Sequence, residues 1–226
     1  MNIAQTIDHT LLKATATEAQ IKEICEQAMQ YNFKTVCVPT CYVTMASKLL
    51  EGTNVGVTTV VGFPLGNETP ETKAFQTKEA ILNGATDVDT VINIGALKDK
   101  KYDYVQADIE AVVKAARATD EKAIVKVIIE TCYLTEEEIA KATELVVAAK
   151  ADFVKTSTGF GTSGATLDAV KIMKKVAGDQ IEIKAAGGIG DAAMAEAMIE
   201  AGATRLGVSR SIAIVNGEKT ENDGSY

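Results

Sequence analysis

The segment ADFVKTSTGFGTSG (residues 151–164) has the pattern of a short buried strand that carries a lysine and ends in small residues and glycine. The segment IEIKAAGGIG (residues 181–190) repeats this pattern, with Lys184 placed 29 residues after Lys155. A lysine in a buried strand loses the hydration of its ammonium group, so it is seldom found there without a partner or a chemical task. Both segments therefore predict strands that contribute to a reactive site.

Six further β-branched runs resemble these two strands, and longer segments of helical period separate all eight. The other runs are TIDHTLL (6–12), KTVCVPT (34–40), VGVTTVVGF (55–63), TDVDTVINI (86–94), AIVKVIIET (123–131) and TRLGVS (204–209). Eight repeats of strand and helix with mostly apolar strands predict an α/β fold, the (β/α)8 TIM barrel, in which both faces of each strand are buried. A doubly wound open sheet is the main structural alternative, but the glycine-rich dinucleotide fingerprint is absent after the first strand.

Helix signals support this division of the chain. Thr17 precedes the helical segment 18–30, and Thr135 followed by Glu138 has the spacing of a capping box. Gly84 and Gly202 stand where helices are expected to end. We expect one barrel domain over residues 1–216 and a flexible, polar C-terminal tail over residues 217–226.

Composition excludes several classes of function. The chain has 226 residues, 46% apolar and 24% charged, with a net charge of −8, as in an ordinary soluble globular protein. This negative charge and the absence of basic runs argue against nucleic-acid binding. No signal peptide and no stretch long enough for a membrane helix is recognisable, so we expect a cytoplasmic protein without a membrane partner. Four scattered cysteines and the single His9 provide neither a disulfide framework nor a histidine-rich metal site, and we expect no metal or cofactor.

Paired lysines are the strongest chemical signal. Lys126, Lys155 and Lys184 follow one another at intervals of 29 residues on strands 5, 6 and 7. This spacing predicts that three neighbouring strands present amines at a similar height. Lys126 has the weakest claim because apolar residues continue after it, which places it nearer the middle of the barrel. The alternative is that the lysines end their strands and extend into solvent. Two ammonium groups about 4 Å apart repel by about 4 kcal/mol at an effective dielectric near 20. This repulsion would lower the pKa of one of the two lysines by about three units.

Strand 4 supplies a carboxylate for proton transfer. Asp87 and Asp89 flank Val88, and strand alternation puts both on one face. Asp87 is best explained as a residue at the start of the strand, near the bottom of the barrel. Asp89 lies deeper among apolar neighbours, where a carboxylate would pair with lysine and relay a proton through water.

Small residues after strands 6, 7 and 8 predict a phosphate site. In this fold an anion often binds after strands 7 and 8, where backbone N–H groups can approach it. Arg210 could add a positive charge, or it could be an ordinary surface arginine. The candidate phosphate-binding residues are Gly159, Gly187, Gly188, Ser209 and Arg210.

Several long motifs in one order resemble the deoxyribose-phosphate aldolase family. They are DHTLLK (8–13), GFPLG (62–66), VDTVINIGAL (88–97), KVIIET (126–131), VKTSTGFG (154–161) and KAAGGI (184–189). The resemblance runs from Asp8 to Ser209, with a further match at Tyr226. Where family members usually have KPE, a VCVNP-like run and a second serine, this chain has KAT, VCVPT and Arg210.

This resemblance implies a class I aldolase that reversibly cleaves 2-deoxy-D-ribose 5-phosphate to acetaldehyde and D-glyceraldehyde 3-phosphate. It implies that Lys155 forms the Schiff base, that Lys184 perturbs it, and that Asp89 acts with water as acid and base. It also implies that Tyr226 assists proton transfer and that phosphate binds at Gly159, Gly187, Gly188 and Ser209. The partners would be phosphorylated sugars and aldehydes, and a homo-oligomer is compatible with the sequence.

Two other functions stay open on the residues alone. Another sugar-phosphate lyase or isomerase would share the glycines, but it would not need paired lysines at strand ends. A catalytically silent barrel that binds a phosphorylated metabolite would keep the phosphate site and would not trap an aldehyde covalently.

Overall fold

The computed structural model describes residues 2–218, in which eight parallel strands alternate with helices and close into a barrel. The strands are Ile7–Thr10 (β1), Thr35–Val38 (β2), Gly56–Val61 (β3), Asp87–Val91 (β4), Ile124–Ile128 (β5), Phe153–Lys155 (β6), Glu182–Ala186 (β7) and Arg205–Val208 (β8). They follow one another around the barrel in chain order, and β8 pairs with β1. The predicted (β/α)8 fold is therefore confirmed, with each of the eight expected strands in place.

Helices follow each strand and cover the outside of the barrel. They are Glu18–Tyr31 (α1), Val43–Leu49 (α2), Pro70–Leu82 (α3), Ile94–Lys98 (α4), Tyr102–Thr119 (α5), Glu136–Ala148 (α6), Leu167–Ala177 (α7), Ala192–Glu200 (α8) and Ser211–Asn216 (α9). Short 3-10 helices lie at Ile3–Thr6, Thr40–Tyr42 and Thr131–Tyr133.

Local sequence signals set the helix ends. The predicted capping box is confirmed at α6, where the Thr135 side chain accepts from the Glu138 backbone N–H and the Glu138 carboxylate accepts from the Thr135 backbone N–H. Thr17 caps α1 in the same way. Gly84 and Gly202 follow α3 and α8 with φ values of 107° and 120°, a left-handed conformation that glycine adopts without a Cβ penalty.

Strand alternation separates an apolar outer layer from a polar barrel interior. Valines such as Val88 and Val125 are fully buried in the hydrophobic core. Inside the barrel, Thr35 of β2 donates to Asp8 of β1 at 2.9 Å and bonds Thr58 of β3 at 2.8 Å. Barrels of this fold are usually filled by branched apolar side chains. A charged interior is therefore a specific feature of this chain, and it places the candidate site.

Candidate active site

Asp89 of β4 is the centre of the site. Its Oδ2 accepts hydrogen bonds from Lys155 Nζ of β6 and Lys184 Nζ of β7, each at 2.7 Å, and its Oδ1 accepts from Lys126 Nζ of β5 at 3.0 Å. All four residues are between 0% and 3% exposed. Four successive strands, β4 to β7, turn charged side chains inward, so the barrel brings together three lysines that are far apart in sequence.

Two further carboxylates and an arginine extend this network across the barrel. Asp8 of β1 accepts from Lys184 Nζ and, at 3.0 Å, from Arg205 Nη1 of β8. Asp87, the first residue of β4 as predicted, lies 2.8 Å from Lys126 Nζ and 3.2 Å from Arg205 Nη1. Asp87 therefore belongs to the ion network rather than serving only to begin the strand.

The charge balance of the network singles out one lysine. Three carboxylates, those of Asp8, Asp87 and Asp89, face four basic groups. With every group ionised, one positive charge would remain uncompensated in a buried environment, which is unfavourable. Lys155 has a single carboxylate partner, whereas Lys184 has two. Loss of a proton from Lys155 balances the network at the smallest electrostatic cost.

Burial and neighbouring charges shift the ionisation of the central groups in different directions. Burial lowers the pKa of Lys155, and the Lys184 ammonium lowers it further against the opposing effect of Asp89. For Lys184, burial is outweighed by the carboxylates of Asp8 and Asp89, which raise its pKa. Burial is likewise outweighed at Asp89, where the lysines hold the carboxyl pKa well below its usual range. The site thus combines the amine of Lys155, which loses its proton readily, with a Lys184 ammonium that keeps its proton and an ionised Asp89 carboxylate.

Strand register corrects the expected common height of the three amines. Lys155 lies directly opposite Lys184 in the pairing of β6 and β7. Lys126 is opposite Phe153, two residues before Lys155. Lys126 also reaches Asp87 at the start of β4, so it lies deeper in the barrel, as the apolar residues after it indicated.

Loops after β6 and β7 bring the predicted phosphate-binding glycines to one end of the barrel. Gly159, Gly187 and Gly188 have φ values of 88°, 83° and 75°, a conformation open to glycine. The Ala165 N–H donates to the Gly187 carbonyl at 3.0 Å, and a Cβ on Gly164 would come within 2.2 Å of the Gly187 backbone. The two loops therefore touch closely.

Ser209 and Arg210 follow β8 at the same end of the barrel. The next residue, Ser211, begins α9, and its Oγ bonds His9 Nδ1 of β1 at 2.8 Å. Tyr226, the remaining predicted site residue, lies outside the described residues.

His9 is occupied structurally at both ring nitrogens. Besides the bond to Ser211, its Nε2 lies 2.7 Å from Gln27 Oε1 of α1. Burial lowers the pKa of the His9 imidazole, so the ring is held neutral between β1, α1 and α9.

Sequence reasoning missed Asp8, Arg205 and Glu130 as members of this region. A charged residue within a strand-like run was the available signal for Asp8 and Arg205. Glu130 has a left-handed backbone with φ of 55°, and its buried carboxylate accepts the Thr158 N–H at 3.1 Å and the Thr158 hydroxyl. It thereby fixes the start of the loop that contains Gly159.

Within residues 2–218, no group of three or more histidine, cysteine or carboxylate side chains is arranged to hold a metal ion. Over the same range, none of the helices is both long and apolar enough to cross a membrane.

Comparison with known proteins defines the class of this barrel. Residues 2–216 match the model of the DeoC/LacD family aldolases. A curated deoxyribose-phosphate aldolase from Clostridium novyi is 58% identical over 99% of this chain and 100% of its own length. One from Geobacillus sp. is 59% identical over 98% of this chain and 97% of its own. The solved tetrameric deoxyribose phosphate aldolase from Aeropyrum pernix is 30% identical, with a TM-score of 0.87 over 95% of this chain and 89% of that one.

The fold, the lysine-rich centre and these matches define a (β/α)8 aldolase, and the protein is therefore an enzyme of the lyase class. The chain belongs to the DeoC/LacD aldolase family, as the sequence motifs predicted.

Proposed function

We propose that this aldolase reversibly cleaves 2-deoxy-D-ribose 5-phosphate to acetaldehyde and D-glyceraldehyde 3-phosphate through a Schiff base on Lys155. The names of the curated relatives support this substrate. The observation that carries the mechanism is that Lys155 and Lys184 share one oxygen of Asp89 while their pKa values move in opposite directions. Such an arrangement keeps one amine available as a nucleophile beside a permanent positive charge.

The reaction begins at the aldehyde carbon of the open-chain sugar. The lone pair of neutral Lys155 attacks this carbon, and transfer of one proton from the attacking nitrogen to the carbonyl oxygen gives a neutral carbinolamine. A second proton on that oxygen allows water to leave, and the nitrogen lone pair forms the C=N bond of an iminium ion. Lys184 stays protonated, because the carboxylates beside it raise its pKa.

Carbon–carbon cleavage then uses the iminium as an electron sink. Asp89 accepts the proton of the C3 hydroxyl, directly or through water, as the C2–C3 bond breaks. The bonding pair becomes an enamine on Lys155, and C3 becomes the aldehyde carbon of D-glyceraldehyde 3-phosphate. Protonation of the enamine and addition of water release acetaldehyde and restore the free amine.

The phosphate would bind at the small residues after β6, β7 and β8. The positive φ values of Gly159, Gly187 and Gly188 support this assignment, since such backbone turns can direct N–H groups at an anion. Ser209 would donate its hydroxyl, and Arg210 would add positive charge.

Other assignments remain proposals of the same kind. Lys126 would support the ion network without touching substrate. Tyr226 would reach the site from the C-terminal segment. The barrel domain would end at residue 216. A homo-oligomer is supported by the tetrameric relative from Aeropyrum pernix. A cytoplasmic location is supported by Cys25, Cys37, Cys41 and Cys132, all free thiols.

Covalent trapping tests the proposal directly. The protein is incubated with acetaldehyde, reduced with sodium borohydride and digested, and the peptides are mapped by mass spectrometry. We expect a reduced two-carbon adduct on Lys155, together with turnover of 2-deoxy-D-ribose 5-phosphate. Lys155→Met is the matched variant, and it should lose both the adduct and turnover. An adduct on Lys126 or Lys184 instead, or none on the wild type, would contradict the proposed mechanism.

A further inference from the structure

A second buried ion pair lies outside the network around Asp89. Lys73 of α3 is 0% exposed, and its Nζ donates to Asp108 Oδ2 of α5 at 2.6 Å. The same ammonium donates to the backbone carbonyls of Gly66 and Val91, each at 2.8 Å. All three N–H bonds of the ammonium are thus used, and each goes to a different segment of the chain.

The bond to Gly66 holds the loop between β3 and α3. A Cβ on Gly66 would lie 2.0 Å from the Ile92 carbonyl oxygen, and a Cβ on Gly62 would lie 2.8 Å from Lys73 Cε. The Gly62 N–H also donates to Gln76 Oε1 of α3 at 2.8 Å. Residues 62–66 are therefore packed tightly between Lys73 and the end of β4.

The bond to Val91 holds the carboxyl end of β4. Asp89, which bonds the lysines of the active site, lies two residues earlier on this strand. One buried ammonium thus joins the 62–66 loop to the strand that carries the proposed acid and base.

The 62–66 loop also contributes to the wall of the barrel mouth. The Phe63 ring meets the Phe160 ring edge to face, with centroids 5.4 Å apart. Phe160 belongs to the loop that follows Lys155, and its N–H donates to Thr158 Oγ1 at 3.0 Å. Because β3 and β6 are separated by β4 and β5 in the barrel, this aromatic contact spans the side of the mouth beside Asp89.

We propose that Lys73 is a positioning residue for the aldolase reaction. Its bonds to the Gly66 and Val91 carbonyls fix the 62–66 loop and the end of β4. This inference rests on the proposed function, since the reaction that Lys73 would serve is the one proposed for the Lys155 and Asp89 centre. Misplacement of positioning groups far from the bond-breaking atoms lowers the rate because reacting groups must be held in a narrow range of geometries.

Variants of Asp108 can separate the effect of Lys73 on catalysis from its effect on the stability of the fold. Its Oδ1 has no hydrogen-bond partner among the described residues, and burial raises its carboxyl pKa against the effect of Lys73. Removing Lys73 alone would leave this carboxylate buried without a cation, which destabilises a fold strongly. Removing both charges relieves that penalty, yet it does not restore the bonds to Gly66 and Val91.

The experiment compares Lys73→Met, Asp108→Asn and the double variant with the wild type. Lys174→Met is the matched control, because Lys174 also bonds a backbone carbonyl and a carboxylate, those of Gly178 and Asp179, but at the surface. The readouts are the thermal midpoint, steady-state cleavage of 2-deoxy-D-ribose 5-phosphate, and hydrogen–deuterium exchange in peptides covering residues 62–66.

We expect Lys73→Met to lower the thermal midpoint and to reduce kcat/KM by roughly tenfold or more. The double variant should recover most of the thermal midpoint, but its kcat/KM should stay low and its 62–66 segment should exchange faster than in the wild type. Asp108→Asn should also lower the thermal midpoint, because it leaves the Lys73 ammonium buried without an anion. It keeps the bonds from Lys73 to the Gly66 and Val91 carbonyls, so its 62–66 segment should exchange as the wild type does.

Recovery of kcat/KM together with the thermal midpoint in the double variant would overturn the positioning role, as would unchanged exchange in Lys73→Met. Absence of an acetaldehyde adduct on wild-type Lys155 would instead contradict the proposed function. The exchange measurement needs no turnover, so in either case it tests whether Lys73 holds the 62–66 loop.

Discussion

Lys155 and Lys184 lie directly opposite each other in the register of β6 and β7, and both donate to Asp89 Oδ2 at 2.7 Å. Their Nζ atoms are therefore at most twice that distance apart. At such separation in a buried site, a proton on one amine disfavours a proton on the other. The two carboxylates beside Lys184 decide which amine keeps its proton.

Removal of the Lys184 charge should shift the reactivity of Lys155 to higher pH. In Lys184→Leu the ammonium that lowers the Lys155 pKa is lost, so that pKa should rise and less free amine should be present near neutral pH. Turnover should fall by roughly 100-fold or more. Removing Lys184 also breaks its buried ion pairs with Asp8 and Asp89, so the free energy of unfolding should fall by about 3–5 kcal/mol.

The measurement for Lys184→Leu is the pH dependence of borohydride trapping with acetaldehyde, alongside the thermal midpoint. Lys174→Leu on α7 is the surface control and should behave as the wild type. An unchanged pH profile in Lys184→Leu would show that Lys184 does not tune Lys155.

Neutralising Asp89 should move the same profile in the opposite direction. The Asp89 carboxylate raises the Lys155 pKa, so Asp89→Asn should extend trapping to lower pH. Cleavage of the sugar phosphate should nevertheless fall by roughly 10²–10⁴-fold, because the group that accepts the hydroxyl proton is lost. Loss of trapping and cleavage in equal measure would assign Asp89 only to the support of Lys155.

A charge at Ser209 should discriminate between phosphorylated and unphosphorylated substrates. Ser209→Asp would repel a dianionic phosphate and remove a hydroxyl donor, so KM for the phosphorylated sugar should rise. Self-condensation of acetaldehyde, which involves no phosphate, should change much less, and Ser209→Ala should show an intermediate KM. Equal losses in both reactions would place Ser209 outside the phosphate site.

His9 should make stability depend on pH below its unfolded-state value of 6.5. Burial lowers its pKa in the folded protein, so the unfolded chain binds the proton more tightly. The contribution of neutral His9 to the free energy of unfolding is complete above pH 6.5. It is lost as the pH falls towards the pKa of His9 in the folded protein. Asp89 titrates at much lower pH, because its pKa is held well below its usual range.

Thermal midpoints measured from about pH 7.5 to about pH 5.5 check the role of His9. His9→Asn should be less stable at neutral pH, because one of the two bonds to Ser211 and Gln27 is lost, but its midpoint should vary less over this range. A slope identical to that of the wild type would assign the pH dependence to another group.

Tyr226 lies outside the described residues, and its role stays a prediction from the family resemblance. Tyr226→Phe should slow turnover while thermal stability and imine trapping stay near wild-type values. Solvent-deuterium exchange into the methyl group of acetaldehyde measures the proton transfer separately. Wild-type rates for both exchange and turnover would show that Tyr226 does not take part.

Much of the fold could be predicted from local pattern. Each strand was visible as a short β-branched run, and the ends of α1 and α6 were visible as threonine caps. Lys155, Lys184 and Asp89 stood out because charged residues rarely occur within such runs. These signals lie within a few neighbouring residues, so the order of amino acids is enough to read them.

Contacts across the barrel were not readable in the same way. Asp8 and Arg205 are 197 positions apart in the chain, yet Arg205 Nη1 lies 3.0 Å from Asp8 Oδ1 because β8 closes against β1. Lys73 could not be recognised either, since a lysine on a helix usually faces solvent, and only the packing of α3 against α5 buries it beside Asp108.

The barrel, its strands and the lysines of the centre could be read from the amino-acid order alone, because period, capping and strand composition are local properties. The depth of Lys126, the pairing of Asp87 and the direction in which each lysine pKa moves became visible only in the folded chain. These three features depend on distance and burial in three dimensions. Charge interactions weaken with separation in space, and desolvation depends on what the closed barrel places around each group.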